Sequence, residues 1–172
     1  MNIDIDHSLM TMFGKPPSRK LENITEVVIH HTDGGGTNKS LFEWFKSDDC
    51  PNHGLYKKYV ALTHYYIQKD GGVTEAYPLD TWLYHSCSGV RDERTIGIEL
   101  IHKSGEFTLQ QYASLLGLLF EHIHDQCPNI TTISSHDYRY LKYSGKSKGC
   151  PSKFFDWDMI RDSNEFNWTI NI

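Results

Sequence analysis

Three short runs rich in β-branched residues constrain this chain most: EVVIHHT (Glu26–Thr32), RTIGIELI (Arg94–Ile101) and NITTISSHD (Asn129–Asp137). Apolar runs of this length, bounded by glycine or polar turns, read as buried strands. The first ends in the glycine-rich turn DGGGTN, which marks its loop end as the functional one. KSLFEWFKS (Lys39–Ser47) puts Leu41, Trp44 and Phe45 on one side, as a short amphipathic helix does. THYYIQKDGGVTEAYP (Thr63–Pro78) alternates, breaks at Asp70-Gly71-Gly72 and resumes, which is a hairpin pattern. TLQQYASLLGLLFEHIHDQC (Thr108–Cys127) has the strongest helical period, with Leu109, Tyr112, Leu115, Leu116 and Leu119 on its apolar face. Thr108 and Gln111 form a capping box at its start. SKFFDWDMIRD (Ser152–Asp162) predicts a final short helix. Tyr138–Gly149 reads as a long polar loop. Met1–Leu21, broken by Pro16-Pro17, reads as an irregular N-terminal arm ahead of a domain over residues 22–172. The order is strand, helix, hairpin, strand, helix, strand, helix. It predicts a single α/β domain with a mixed central β-sheet flanked by helices.

Composition narrows the function classes. A chain of 172 residues with 38% hydrophobic and 13% aromatic content suits one domain with a real core. A net charge of −5 argues against a nucleic-acid partner recognised through bulk charge. No window reaches membrane-spanning length. The opening MNIDIDHSLMTMFGKPPSRK has acids where a secretory leader needs bases, so synthesis in the cytoplasm without an export signal is the expectation. Cys50, Cys87, Cys127 and Cys150 are widely spread and form no CxxC pair. They read as reduced thiols, with a Cys50–Cys87 bridge left open.

KSKGCPSKFFDW (Lys146–Trp157) sets Cys150 between a glycine and a proline with Lys146, Lys148 and Lys153 around it. Positive neighbours favour a thiolate, which serves as nucleophile, redox partner or metal ligand. Three metal-ligand types fall where strands hand over to loops: His30 or His31, His136, and Cys150. Two imidazoles and a thiolate satisfy a catalytic zinc site, which needs three protein ligands and an open position. Neighbours in a strand face opposite sides, so only one of His30 and His31 points into a given site. Each residue also has an ordinary use, as a hydrogen-bonded strand histidine, a loop cap or a packed thiol. Alternation in IGIEL puts Gly97 and Glu99 opposite Ile96, Ile98 and Leu100. A carboxylate there is costly unless it is ion-paired or faces a wet cleft. Near a metal, Glu99 would act as general base. Lys148 would point a cation at a developing oxyanion or stand as a solvated loop lysine. His85, beside Trp82 and Tyr84, would line a cleft or pack as a structural histidine.

VVIHHT, THYYIQKDGGV, TIGIELI and SSHDY…KGCPSKFFDW, in that order across Val27–Trp157, resemble the zinc-dependent N-acetylmuramoyl-L-alanine amidases of the Amidase_2 family. These share a fold with the peptidoglycan recognition proteins. The resemblance covers about three quarters of the chain. It implies a zinc hydrolase that cuts the amide between N-acetylmuramic acid and L-alanine. It places the zinc ligands on His30, His136 and Cys150, the general base on Glu99 and the oxyanion lysine on Lys148. The tyrosine that phage and recognition-protein enzymes often place before the second-strand HF or HY pair is Thr63 here, and the IGIE glutamate matches bacterial amidases instead. His85 and Thr63 are the expected substrate-contacting positions.

The partner so implied is peptidoglycan, glycan plus stem peptide. The alternative is a non-catalytic peptidoglycan-binding module of the same fold. Proteins of that kind typically lack the cysteine ligand. A phage endolysin, an injected antibacterial effector or a cytosolic recycling enzyme all fit a chain made without a leader. The first two would act on the wall or periplasm after lysis or delivery. An injected role would add a small immunity or regulatory protein as partner, which the residues do not identify.

Overall fold

The computed structural model describes residues 2–13, 15–50, 62–86 and 89–172. Seven strands form one mixed, mostly parallel sheet: β1 (Ile3–Ile5), β2 (Glu26–His31), β3 (Tyr65–Ile67), β4 (Val73–Glu75), β5 (Thr95–Leu100), β6 (Thr132–Ser135) and β7 (Thr169–Asn171). Their spatial order is β1-β4-β3-β5-β2-β6-β7. Among the described strands only β3 and β4 pair antiparallel, as the expected hairpin. Its turn needs Gly71 at φ +87, a region glycine enters without steric cost.

Burial on both faces explains the near-continuous apolar runs of β2 and β5. Val27, Ile29, Ile96, Ile98 and Leu100 point to one face. That face is covered by α3 (Leu109–Gly117), which runs on as a π-helical segment (Leu118–Ile123), and by α5 (Trp157–Asp162). The capping box at Thr108 and Gln111 forms as expected, although Leu109 is 73% exposed. On the other face α1 (Ser8–Phe13) and α2 (Asn38–Lys46) pack Leu9, Phe13, Phe42 and Phe45 against Tyr66 and Tyr77. The buried residues of α2 include Leu41, Phe42 and Phe45, while Trp44 is 41% exposed.

Two segments differ from the sequence expectation. Tyr138–Gly149 is not a loop throughout, because α4 (His136–Ser144) occupies most of it. The Ser135 hydroxyl caps its start by accepting the Tyr138 N–H, and Gly145 at φ +71 ends it. Its buried residues, His136 and Arg139, are polar, so hydrophobic periodicity does not reveal the helix. The N-terminal segment is not irregular either: β1 extends the sheet by pairing parallel with β4, and Asp6 caps α1 through the Ser8 N–H. Arg19, in the same segment, is buried and donates to the carbonyls of Leu79, Asp92, Glu93 and Thr95. Among the described residues no helix is long and apolar enough to cross a membrane. Cys50, Cys127 and Cys150 are buried free thiols, and Cys87, the other half of the bridge left open, lies outside the described residues.

Candidate metal centre

The carboxyl ends of parallel strands β2, β5 and β6 converge on the face of the sheet that carries His30. Ligands collect at such strand ends in open α/β sheets. His30 is in register with Glu99, and Glu99 with Tyr66, so all three share that face. Ser135 pairs with Ile29, which brings His136, one residue on, level with His30. The loop after α4 returns Cys150 to the same point. One ligand atom from each of His30, His136 and Cys150 falls within 4.8 Å of the other two, and all three residues are buried. His31 stands outside this trio, with its backbone N–H and its ring Nδ1 each 3.4 Å from Cys150 Sγ.

Hydrogen bonds behind His30 fix its tautomer. The Thr95 hydroxyl donates its one proton to the Asp92 carbonyl at 3.1 Å. It must therefore accept from His85 Nε2, 2.9 Å away. His85 Nδ1 is then a lone pair and accepts from His30 Nε2 at 3.1 Å. This leaves a lone pair on His30 Nδ1, which faces His136 Nδ1 at 2.9 Å. Hydrogen bonds to the ring nitrogen that faces away from a metal orient metal-binding histidines in this way.

The end of this relay is braced by charge. Asp92, fully buried, accepts from the backbone N–H groups of His85 and Ser86 at 3.2 Å each and from the Ser86 hydroxyl. Arg139 reaches Asp92 at 3.5 Å, donates to Ser86 at 3.0 Å and pairs with Glu26. Gly97 makes room for His85. The Thr63 methyl and the His85 ring lie over its α-carbon, where a side chain would otherwise stand.

Electrostatics hold the imidazoles in the ligand form. Burial first, then His136 and His85, keeps His30 well below the ordinary imidazole range. Burial, then Lys148, brings His136 down to about 3. Cys150 departs from the sequence expectation: burial, with Glu99 adding to it, pushes the thiol up to about 12, outweighing Lys148. Lysine neighbours alone therefore do not make the thiolate, whereas a bound cation would. Glu99 is raised by burial to about 8, with Lys148 pulling the other way. Its side chain stays partly open to the site face.

The donor chemistry fits a metal ion. Two neutral imidazoles and a sulfur form the borderline-soft set that zinc takes. Among the described residues, His136 Nε2 is buried without a hydrogen-bond partner.

The structure does not place every expected site residue alike. Glu99 and the trio come together. Lys148 is exposed, with its ammonium 5.1 Å from the Tyr140 ring centroid and its backbone N–H bonded to Asp137. His85 does not line an open cleft: it is 8% exposed and both ring nitrogens are engaged behind His30. Thr63 is 3% exposed and donates its hydroxyl to the Tyr65 carbonyl at 3.4 Å. Sequence reasoning missed Asp92, Asp137, Arg139 and Tyr66. The one available signal was the spacing of His136 and Arg139, three apart on one helical face.

The Amidase_2 family model, N-acetylmuramoyl-L-alanine amidase, matches residues 20–153. No curated protein sequence matches the chain. Among solved structures, the chain is similar to the N-acetylmuramoyl-L-alanine amidase LysC from Clostridium intestinale URNW, with 23% identity and a TM-score of 0.66 over 94% of this chain and 96% of that one. It is similar to AmpD, with 21% identity and a TM-score of 0.65 over 87% of this chain and 91% of that one. It is also similar to peptidoglycan recognition protein LE in complex with tracheal cytotoxin, with 17% identity and a TM-score of 0.69 over 93% of this chain and 92% of that one. At these identities the likeness shows the fold.

Proposed function

Because this chain belongs to the Amidase_2 family of N-acetylmuramoyl-L-alanine amidases, we propose that it is a zinc hydrolase that cleaves the amide between N-acetylmuramic acid and L-alanine in peptidoglycan. The observation that carries the reading is the meeting of His30, His136 and Cys150 within 4.8 Å, with Glu99 in register beside His30. Those three residues would hold zinc through one ring nitrogen each of His30 and His136 and through Cys150 Sγ. What zinc supplies there when bound is Lewis acidity, toward a carbonyl and toward water.

The other roles belong to side chains of this chain. Glu99 takes the proton of the attacking water at its carboxylate and returns it to the amine of L-alanine as the amide breaks. A carboxylate raised toward neutrality suits both transfers. Lys148 offers its ammonium to the oxyanion that forms on the lactyl carbonyl. His85 holds the tautomer of His30, so its role in this reading is positioning and not substrate contact. Thr63 helps form the wall over Gly97. The site of action is the cell wall, reached after lysis or delivery.

The test is product analysis on isolated sacculi, with zinc or with chelator, read by mass spectrometry. Stem peptides with a free N-terminal L-alanine, released only with zinc, are expected. Intact sacculi in both tubes with the protein retained on them would replace the enzyme by a binding module.

A further inference from the structure

Asp137 immediately follows one member of the trio and makes its contacts with the loop that carries another. Its Oδ1 accepts from the Ser147 hydroxyl at 2.8 Å, from the Gly149 N–H at 2.6 Å and from the Lys148 N–H. Its own N–H donates to the Cys150 carbonyl at 2.6 Å. Four consecutive residues, Ser147 to Cys150, are thus tied to one residue at the first turn of α4. The loop needs such a tie. It leaves α4 through Gly145 at φ +71, and Gly149 sits at φ +62, so a conformationally free glycine stands at each end of the Lys146–Lys148 stretch. Ser147, Lys148 and Gly149 are all exposed, and the hydrophobic core takes up none of them.

We propose that Asp137 is a positioning residue that clamps the Ser147–Cys150 loop so that Cys150 Sγ and the Lys148 side chain are held at fixed places relative to His136. His136 and Asp137 are adjacent in the chain, so the clamp sets the cysteine directly against its histidine partner. The acceptor oxygen does this work, because all three bonds to the side chain end on the same atom. A charged acceptor shortens and strengthens each of them. The consequence for metal affinity and for the oxyanion lysine rests on the amidase reading above, but the clamp does not.

The experiment compares the full chain with Asp137→Ala, Asp137→Asn and Ser147→Ala. Amide hydrogen exchange at Lys148 and Gly149 in the metal-free protein reads the clamp. Zinc affinity, by competition with a chromophoric chelator, and the thiolate-to-cobalt charge-transfer band of the cobalt(II) form read its effect on Cys150. Asp137→Ala is expected to speed exchange at both amides, to weaken zinc binding about 10- to 100-fold and to diminish the thiolate band. Asp137→Asn keeps a carbonyl acceptor in place and is expected to retain most of the protection and affinity. Ser147→Ala removes one bond of the set and is expected to weaken zinc binding in the same direction by less, which carries the test if Asp137→Ala does not fold. Wild-type exchange and affinity in Asp137→Ala would overturn the inference. So would an Asn variant as impaired as the Ala variant. Fast exchange in Asp137→Ala, together with an unmodified protein that binds no zinc, would leave the clamp standing and remove the metal reading.

Discussion

Gly97→Ala tests whether the site depends on a gap in strand β5. A β-carbon at this position would lie 2.8 Å from Thr63 Cγ2, 2.9 Å from His85 Cγ and 2.9 Å from His85 Nδ1. Neither neighbour can yield into solvent, since Thr63 is 3% and His85 8% exposed. Overpacking of this kind costs about 1–3 kcal/mol. In a chain of this size each kcal/mol lowers Tm by about 2–4 °C, so a drop of about 2–12 °C is expected for the metal-free protein. The second effect is more specific. The crowded Nδ1 of His85 is the atom that accepts from His30 Nε2 at 3.1 Å, so the ring cannot move away without releasing His30. Loss of such a partner weakens a metal site about 10- to 100-fold. The assays are a thermal melt in chelator and zinc affinity by competition. Gly35→Ala is the control, because its β-carbon would meet nothing closer than 3.9 Å and should change stability by less than about 0.5 kcal/mol. A Gly97→Ala protein with the melting temperature and zinc affinity of the unmodified chain would refute the reasoning.

Other outcomes follow from the same contacts. Arg19→Ala should lower stability in urea unfolding by about 3 kcal/mol or more, because the carbonyls of Leu79, Asp92, Glu93 and Thr95 lose a buried donor. Arg19→Lys should recover little, since an ammonium cannot span that fork of acceptors. In the metal-free protein, His136 stays neutral down to about 3 while an unfolded imidazole protonates near 6.5. The unfolded chain therefore binds more protons in that window, and stability should fall as pH drops through it. Glu99 works in the opposite direction. Its folded value of about 8 lies above the ordinary 4.5, so its cost grows as pH rises from 4.5 and is complete above about 8. Urea unfolding of Glu99→Gln in chelator between about pH 5 and pH 9 should lack that decline.

What the sequence made legible depended on whether the physics was local. β2 and β5 are visible because burial on both faces leaves an apolar run that no partner is needed to interpret. The α3 cap is visible because Thr108 and Gln111 satisfy each other three residues apart. α4 is hidden because its inward residues are a histidine and an arginine. The Arg139–Glu26 pair joins positions 113 apart, and nothing near either residue announces it. The trio of His30, His136 and Cys150 could be proposed from residue types at strand ends, but the choice between His30 and His31 needed a family likeness at that stage. In the structure the choice is geometric: His30 faces His136, whereas His31 contacts the sulfur from outside the trio. The thiolate argument from neighbouring lysines failed because charge falls off through solvent while burial acts on the sulfur directly.

The fold by itself does not separate a wall-cutting enzyme from a wall-binding protein, since the similar structures include both amidases and recognition proteins. The separation has to come from energetics at the site. Burying His30 and His136 with their Nδ1 atoms 2.9 Å apart makes protonation of either ring unfavourable. Keeping the Cys150 thiol beside Glu99 makes loss of its proton unfavourable too. A surface that only grips glycan or peptide has no use for either cost. A cation between the three donors offsets both at once, because it takes the two lone pairs and the thiolate charge together. Binding to the folded chain alone then adds directly to its stability. The buried imidazoles that destabilise the metal-free protein below neutral pH would thus also contribute to its stabilisation by zinc, so His136→Ala should lessen both effects, whereas Cys150→Ala should remove the stabilisation by zinc and leave the acid dependence in place.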